Sequence, residues 1–197
     1  MEKFSPQTIY VPPITLAAIR EIATSLRDIL SLKDDQGFPT LRVLERMNDK
    51  LAEEDREVFQ VVEDEELPLA YADMDSATGL IRLRNSCYQS ARSGDKEGLF
   101  TISHEYAHSI CHRGVKLHRF AADVSIPEEN DAEIQADSFA IELMVSHRFL
   151  IGNLKRLGAD VISDRFSIPL NKLREHIVRM HRNGDFGDYS IQLELPL

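Results

Sequence analysis

Cysteine is nearly absent, with two in 197 residues. A disulfide framework is excluded at that count, and a reducing cytoplasm is the default compartment. Long apolar runs are missing as well. Residues 1–10 lack the apolar stretch of a secretory signal, and no run is long enough to span a membrane. Neither export nor a membrane partner is expected. Positive charge is scarce: 23 Lys and Arg stand against 33 Asp and Glu, a formal charge of −10. That balance argues against strong non-specific binding to nucleic acid. No internal repeat is evident. What remains is the composition of an ordinary globular protein, 43% hydrophobic and 28% charged, at a length that suits one domain with a small appended unit.

The chain is organised around residues 101–113, TISHEYAHSICHR. Within them His104-Glu105-Tyr106-Ala107-His108 matches H-E-x-x-H. On a helix, residues four apart lie on one face, so both imidazoles can reach a single zinc ion. Glu105, the next residue round, can lean over that ion without binding it and take a proton from the attacking water. The five-letter pattern also fits a surface helix with two unrelated histidines, so the reading turns on a third ligand. Residues 127–146, PEENDAEIQADSFAIELMVS, read as a helix. On its wheel Glu133 and Asp137 fall within the apolar arc of Ala136, Ala140, Met144, Phe139 and Leu143. Asp131, Gln135, Ser138 and Glu142 cluster on the far side as the expected solvent face. Carboxylates in an apolar arc are costly unless paired or bound to a cation. Glu133 is the expected third ligand, and Asp137 the acceptor for the spare N–H of His104. A buried ion pair to Lys or Arg is the alternative.

Glu133-x-x-x-Asp137 after H-E-x-x-H is similar to the gluzincin arrangement, in which a Glu on a following helix completes the zinc site. More narrowly, HEYAHSICHR followed by AEIQADSFAIELMVS resembles the ImmA/IrrE family of metallopeptidases. The chain departs from that pattern at Ala107, where Gly is usual, and at Ser146, where Pro often ends the helix. Neither position is a ligand. The resemblance implies a zincin-like α+β fold, with a small antiparallel sheet packed on a zinc-binding helix pair. It further implies an endopeptidase whose target is a helix-turn-helix repressor of the Xre type or an antitoxin. A non-catalytic toxin–antitoxin partner, acting by complex formation, is the alternative from another class.

Along the chain, Thr15 is expected to cap a helix reaching Leu32, and 41–51 reads as a second helix. Residues 45–66 carry ten acids and three bases, most simply a solvated face. Segments 58–63, 70–73 and 80–84 read as strands. In gluzincin-like sites an edge strand pairs with the extended substrate, and 80–84 is the candidate, although it reads equally as an ordinary hairpin strand. A short helix at 88–93 and a polar turn at 94–98 precede the H-E-x-x-H helix. At the end of that helix His112 reads as a cationic cap, or as a residue lining the cleft. Cys111 reads as a small buried hydrophobe rather than a ligand. The oxyanion needs a donor; His112, His118, His147, Tyr106 and Tyr189 are all candidates. The metallopeptidase domain is assigned to 1–150 and a helix-turn-helix-like subdomain to 151–197. Residues 155–182 hold seven bases and three acids, so DNA binding by this unit is a further reading beside packing or partner capture. A strand-like tail is expected at 189–195.

Overall fold

The computed structural model describes residues 8–52, 56–116, 118–120 and 126–187. The chain enters through β1 (Thr8–Tyr10), antiparallel to β5 (His118–Phe120), and is tied to the 129–131 segment by main-chain bonds from Val11 and Ile14. α1 (Leu16–Ile29) starts where the Thr15 hydroxyl accepts from the Ala18 N–H at 3.2 Å. α2 (Thr40–Leu51) follows, and its Asn48 amide brackets the start of β2 through bonds with Val58 and Phe59.

β2 (Phe59–Val62), β3 (Ala72–Met74) and β4 (Ile81–Arg84) form one sheet in the order β2-β4-β3. The α+β class is as expected, but two details differ. The sheet is mixed, since β2 runs parallel to β4 while β3 is antiparallel to it. And β4 is central, so residues 80–84 cannot offer a free edge to a substrate. Burial explains the order: Ile81 and Leu83 are fully enclosed, and the middle of the sheet is where alternate side chains are best covered. Among the described residues the edges of this sheet are β2 and β3. Of the two, β3 lies against the H-E-x-x-H helix.

α3 (Asn85–Arg92) leads to α4 (Lys96–Cys111), which begins earlier than the expected 94–98 turn allows. The Asp95 carboxylate caps it by accepting from the Gly98 N–H at 3.0 Å. Gly98 is there for contact rather than for flexibility. A Cβ on it would stand 2.6 Å from the Ala91 main-chain nitrogen, so α3 and α4 touch backbone to backbone.

α5 (Ala132–Met144) overturns the amphipathic expectation. Gln135, Ser138 and Glu142, assigned to solvent, are all about 2% exposed or less. The helix runs between α4 on one side and α1 on the other, with α7 (Leu170–Arg182) across it, so from Gln135 onward it has no solvent face. Gln135, Asp137 and Glu142 find their partners inside the protein. Glu142 takes Arg20 at 3.3 Å and His176 at 3.1 Å, with His147 Nδ1 at 3.5 Å.

α6 (His147–Phe166) is capped by Ser146 and bends at Gly158, whose φ of 78° is in the left-handed region that glycine adopts freely. The 150/151 division drawn from the sequence falls inside this helix. α6 and α7 build a second core with Phe100 of α4 and Ala140, Ile141 and Met144 of α5. α5 therefore belongs to both cores. The expected tail strand at 189–195 lies outside the described residues.

Two predictions follow from this packing. Gly98→Ala should lower the unfolding free energy by about 1–3 kcal/mol through overpacking against α3, although alanine favours a helix; an unchanged thermal midpoint would show that the helices can separate. Glu142 is an acid-sensitive group. Burial works against its charge, yet the neighbouring His147, His176 and Arg20 prevail and hold its pKa down at about 2. Its native pKa lies below the unfolded one, so its contribution is complete above pH ~5 and is lost as pH falls toward 2. The contribution is on the order of 3 kcal/mol. Acid unfolding followed by circular dichroism should show a limb in that window that flattens in Glu142→Gln.

Candidate metal centre

α4 sets His104 and His108 one turn apart with their Nε2 atoms 2.9 Å from each other. α5 brings Glu133 across from its first turn, where the Asp131 side chain accepts from the Glu133 and Ile134 N–H groups. Glu133 Oε2 lies 3.2 Å from His104 Nε2, and Oε1 lies 3.5 Å from His108 Nε2. Thus two imidazole nitrogens and a carboxylate converge from two elements. Tetrahedral zinc with bonds near 2.0–2.2 Å sets its donors about 3.3 Å apart. The two nitrogens lie 2.9 Å apart, and one Glu133 oxygen stands 3.2 Å from one ring and the other 3.5 Å from the second, all near that value. The set is rich in nitrogen and poor in oxygen, which suits zinc better than calcium or magnesium. Glu133 is about half exposed, so the ligand side opens toward solvent.

The electrostatics favour positive charge at this point. Burial opposes protonation of His104, but its hydrogen bonds to Asp137 and Glu133 outweigh it and raise its pKa. Burial likewise works against the Glu133 charge, and contacts with His104 and His108 pull its pKa below the ordinary carboxylate range. Glu105 behaves oppositely. Burial raises its pKa, only partly offset by the two imidazoles, and the charges of Glu133 and of Asp73 on β3 push the same way. A carboxyl held in this way between the imidazoles and an edge strand is placed to exchange protons.

Each imidazole is oriented from behind. His104 Nδ1 lies 2.9 Å from Asp137 Oδ1. The other Asp137 oxygen accepts from Lys172 Nζ at 2.7 Å, and that ammonium lies 5.8 Å from the Phe100 ring centroid. Asp137 thus has both the histidine partner and the cationic partner that the sequence offered as alternatives. His108 Nδ1 lies 2.7 Å from His112 Nδ1, and His112 Nε2 lies 2.8 Å from Gln135 Oε1. His112 is not a cationic helix cap. It is 1% exposed, and burial holds its pKa down to about 4, so the ring is neutral.

Lys172 and Gln135 were not anticipated. Lys172 is 35 residues beyond Asp137, a separation that no spacing rule covers. Gln135 had been assigned to solvent. Other candidates lie apart. Tyr106 is two residues from each histidine, roughly 160–200° round the helix, and is buried in the core on that far face. His147 sits beside Glu142, nine residues along α5 from Glu133, or about 13 Å. His118 is exposed on β5. Tyr189 lies outside the described residues. Cys111 packs against the core, and burial pushes its thiol up to about 12, so it stays protonated.

Among the described residues no helix is long and apolar enough to cross a membrane. No curated protein and no solved structure matches the chain. Residues 65–176 match the IrrE N-terminal-like domain of the M78 peptidases. That match spans more than half of the sequence, from before β3 into α7, and contains all three convergent donors, Glu105, Asp137 and Lys172. The chain belongs to the IrrE N-terminal-like family of M78 peptidases.

Proposed function

We propose that this protein is a zinc-dependent endopeptidase that cuts one specific regulatory protein in a reducing cytoplasm. The observation that carries the reading is the convergence of His104, His108 and Glu133 from two helices with Glu105 beside them. His104, His108 and Glu133 would hold the ion. When bound, zinc supplies a Lewis acid that lowers the pKa of water toward 7 and polarises a carbonyl. Glu105 takes the proton of the attacking water and passes it to the leaving amine. Asp137 and Lys172 hold the His104 ring, and His112 holds that of His108. β3, an edge next to α4, offers main-chain N–H and C=O groups to an extended substrate. Its Asp73 is bonded to Arg82 of β4 at 2.9 Å.

The resemblance of the two helix motifs supports a helix-turn-helix repressor of the Xre type, or an antitoxin, as substrate. The basic surplus of the C-terminal helices gives less support to DNA as a partner. Arg165, Lys172, Arg174 and Arg182 are each paired with an acid, at Asp35, Asp137, Asp160 and Glu128. The alternative in which the metal site is structural and the protein acts by complex formation separates cleanly by mutation.

Glu105→Gln should reduce cleavage of the cognate repressor by roughly 10²–10⁴-fold while leaving metal content at one ion per chain. Biological activity that survives in this variant would contradict the peptidase reading. Glu133→Ala should lose the ion itself. In calorimetry the wild-type protein should gain about 2.7 kcal/mol at a zinc concentration one hundred times the dissociation constant. Chelation should remove that gain, and Glu133→Ala should never show it.

A further inference from the structure

Behind His108 runs a chain of contacts whose far end has its hydrogen-bonding roles fixed by main-chain carbonyls. The Gln135 amide reaches Pro12 O at 3.0 Å and Glu129 O at 2.6 Å with one end, and His112 Nε2 at 2.8 Å with the other. Carbonyl oxygens can only accept, so the end facing them is the NH₂ group and the end facing His112 is the oxygen. That oxygen also can only accept, so His112 Nε2 carries a hydrogen. His112 Nδ1 and His108 Nδ1 face each other at 2.7 Å, so one hydrogen lies between them; with His108 Nε2 given to the metal, that hydrogen belongs to His108, and His112 Nδ1 accepts it. His108 is left with its lone pair on Nε2, the atom 3.5 Å from Glu133 Oε1 and 2.9 Å from His104 Nε2.

We propose that His112 and Gln135 are positioning residues that lock His108 in the Nδ1–H tautomer. In this arrangement the main-chain carbonyls of Pro12 and Glu129 set the metal-binding nitrogen through three consecutive hydrogen bonds. The inference rests on the metal reading of His104, His108 and Glu133. The entering segment thereby acquires a role. Its seating beside residues 129–131, through Val11 N to Asn130 O at 2.9 Å and Asn130 Nδ2 to Val11 O at 3.0 Å, places the Pro12 carbonyl that orients Gln135. His104 is locked differently, by a carboxylate and an ammonium, so the two imidazoles have one charged and one neutral support.

The test uses the full chain and cobalt or zinc as the probe. His112→Leu removes the acceptor behind His108 and should weaken metal affinity about 10–100-fold in chelator competition. His112→Gln keeps an oxygen to accept from His108 and an NH₂ to donate to Gln135, and should restore affinity close to wild type. A merely space-filling role for His112 would favour neither variant on these grounds. Nitrogen-15 spectra of histidine-labelled wild-type protein, free of metal, read the tautomer without any variant. They should show His108 protonated at Nδ1. The proposal is overturned if His108 carries its hydrogen on Nε2 alone, or if folded His112→Leu binds cobalt as tightly as wild type. A wild-type protein that binds neither ion while its His108 shows the Nδ1–H form would count against the zinc reading and leave the relay standing.

Discussion

Two helices that cross closely enough to bring three donor atoms within 4.8 Å of one another must meet through small side chains, and every other feature depends on that crossing. Ala107 on α4 and Ala132, Ala136 and Ala140 on α5 are essentially without exposure. Larger residues there would push Glu133 away from the two imidazoles. Close packing of this kind tolerates little volume change. The same closeness buries α5 from Gln135 to Met144, so each polar group on that stretch must find a protein partner or cost free energy.

The partners that α5 found explain the rest of the architecture. At one end Glu133 faces the imidazoles. One turn on, Asp137 joins His104 to Lys172. Further along, Glu142 gathers Arg20, His147 and His176, and Arg20 extends the network to Asp185 at 2.8 Å. α7 therefore touches the acids of α5 at two levels. The C-terminal helices are bound to the catalytic core by buried charge as well as by the second apolar core, and part of their positive surplus points inward. Breaking either pair would leave a buried acid short of one partner, which costs more than never having placed one there.

The sequence made the chemistry more legible than the packing. H-E-x-x-H places two rings on a helix face by periodicity alone, and Glu133 and Asp137 stood out because acids rarely sit among Ala136, Phe139 and Ala140. Most helix positions were also readable, because caps such as Thr15 have local causes. Relations between distant segments were not. Nothing within 80–84 says that β2 will dock on its second side, and nothing near Gln135 says that Pro12 will approach it. A helical wheel separates apolar from polar residues, but it cannot tell water from a buried hydrogen-bond partner. Gln135 and Glu142 were misplaced for that reason, and Lys172 was unseen because its partner lies on another helix.

The central claim is that one zinc-class ion is held by two imidazole nitrogens of α4 and one carboxylate of α5. X-ray absorption on the purified, metal-loaded protein tests it most directly. The expected spectrum shows two histidine nitrogens at about 2.0–2.1 Å and oxygen in the remaining positions, with no sulfur, and His104→Ala and Glu133→Ala each change it. An ion with sulfur in its first shell, or a spectrum that neither substitution alters, would contradict it.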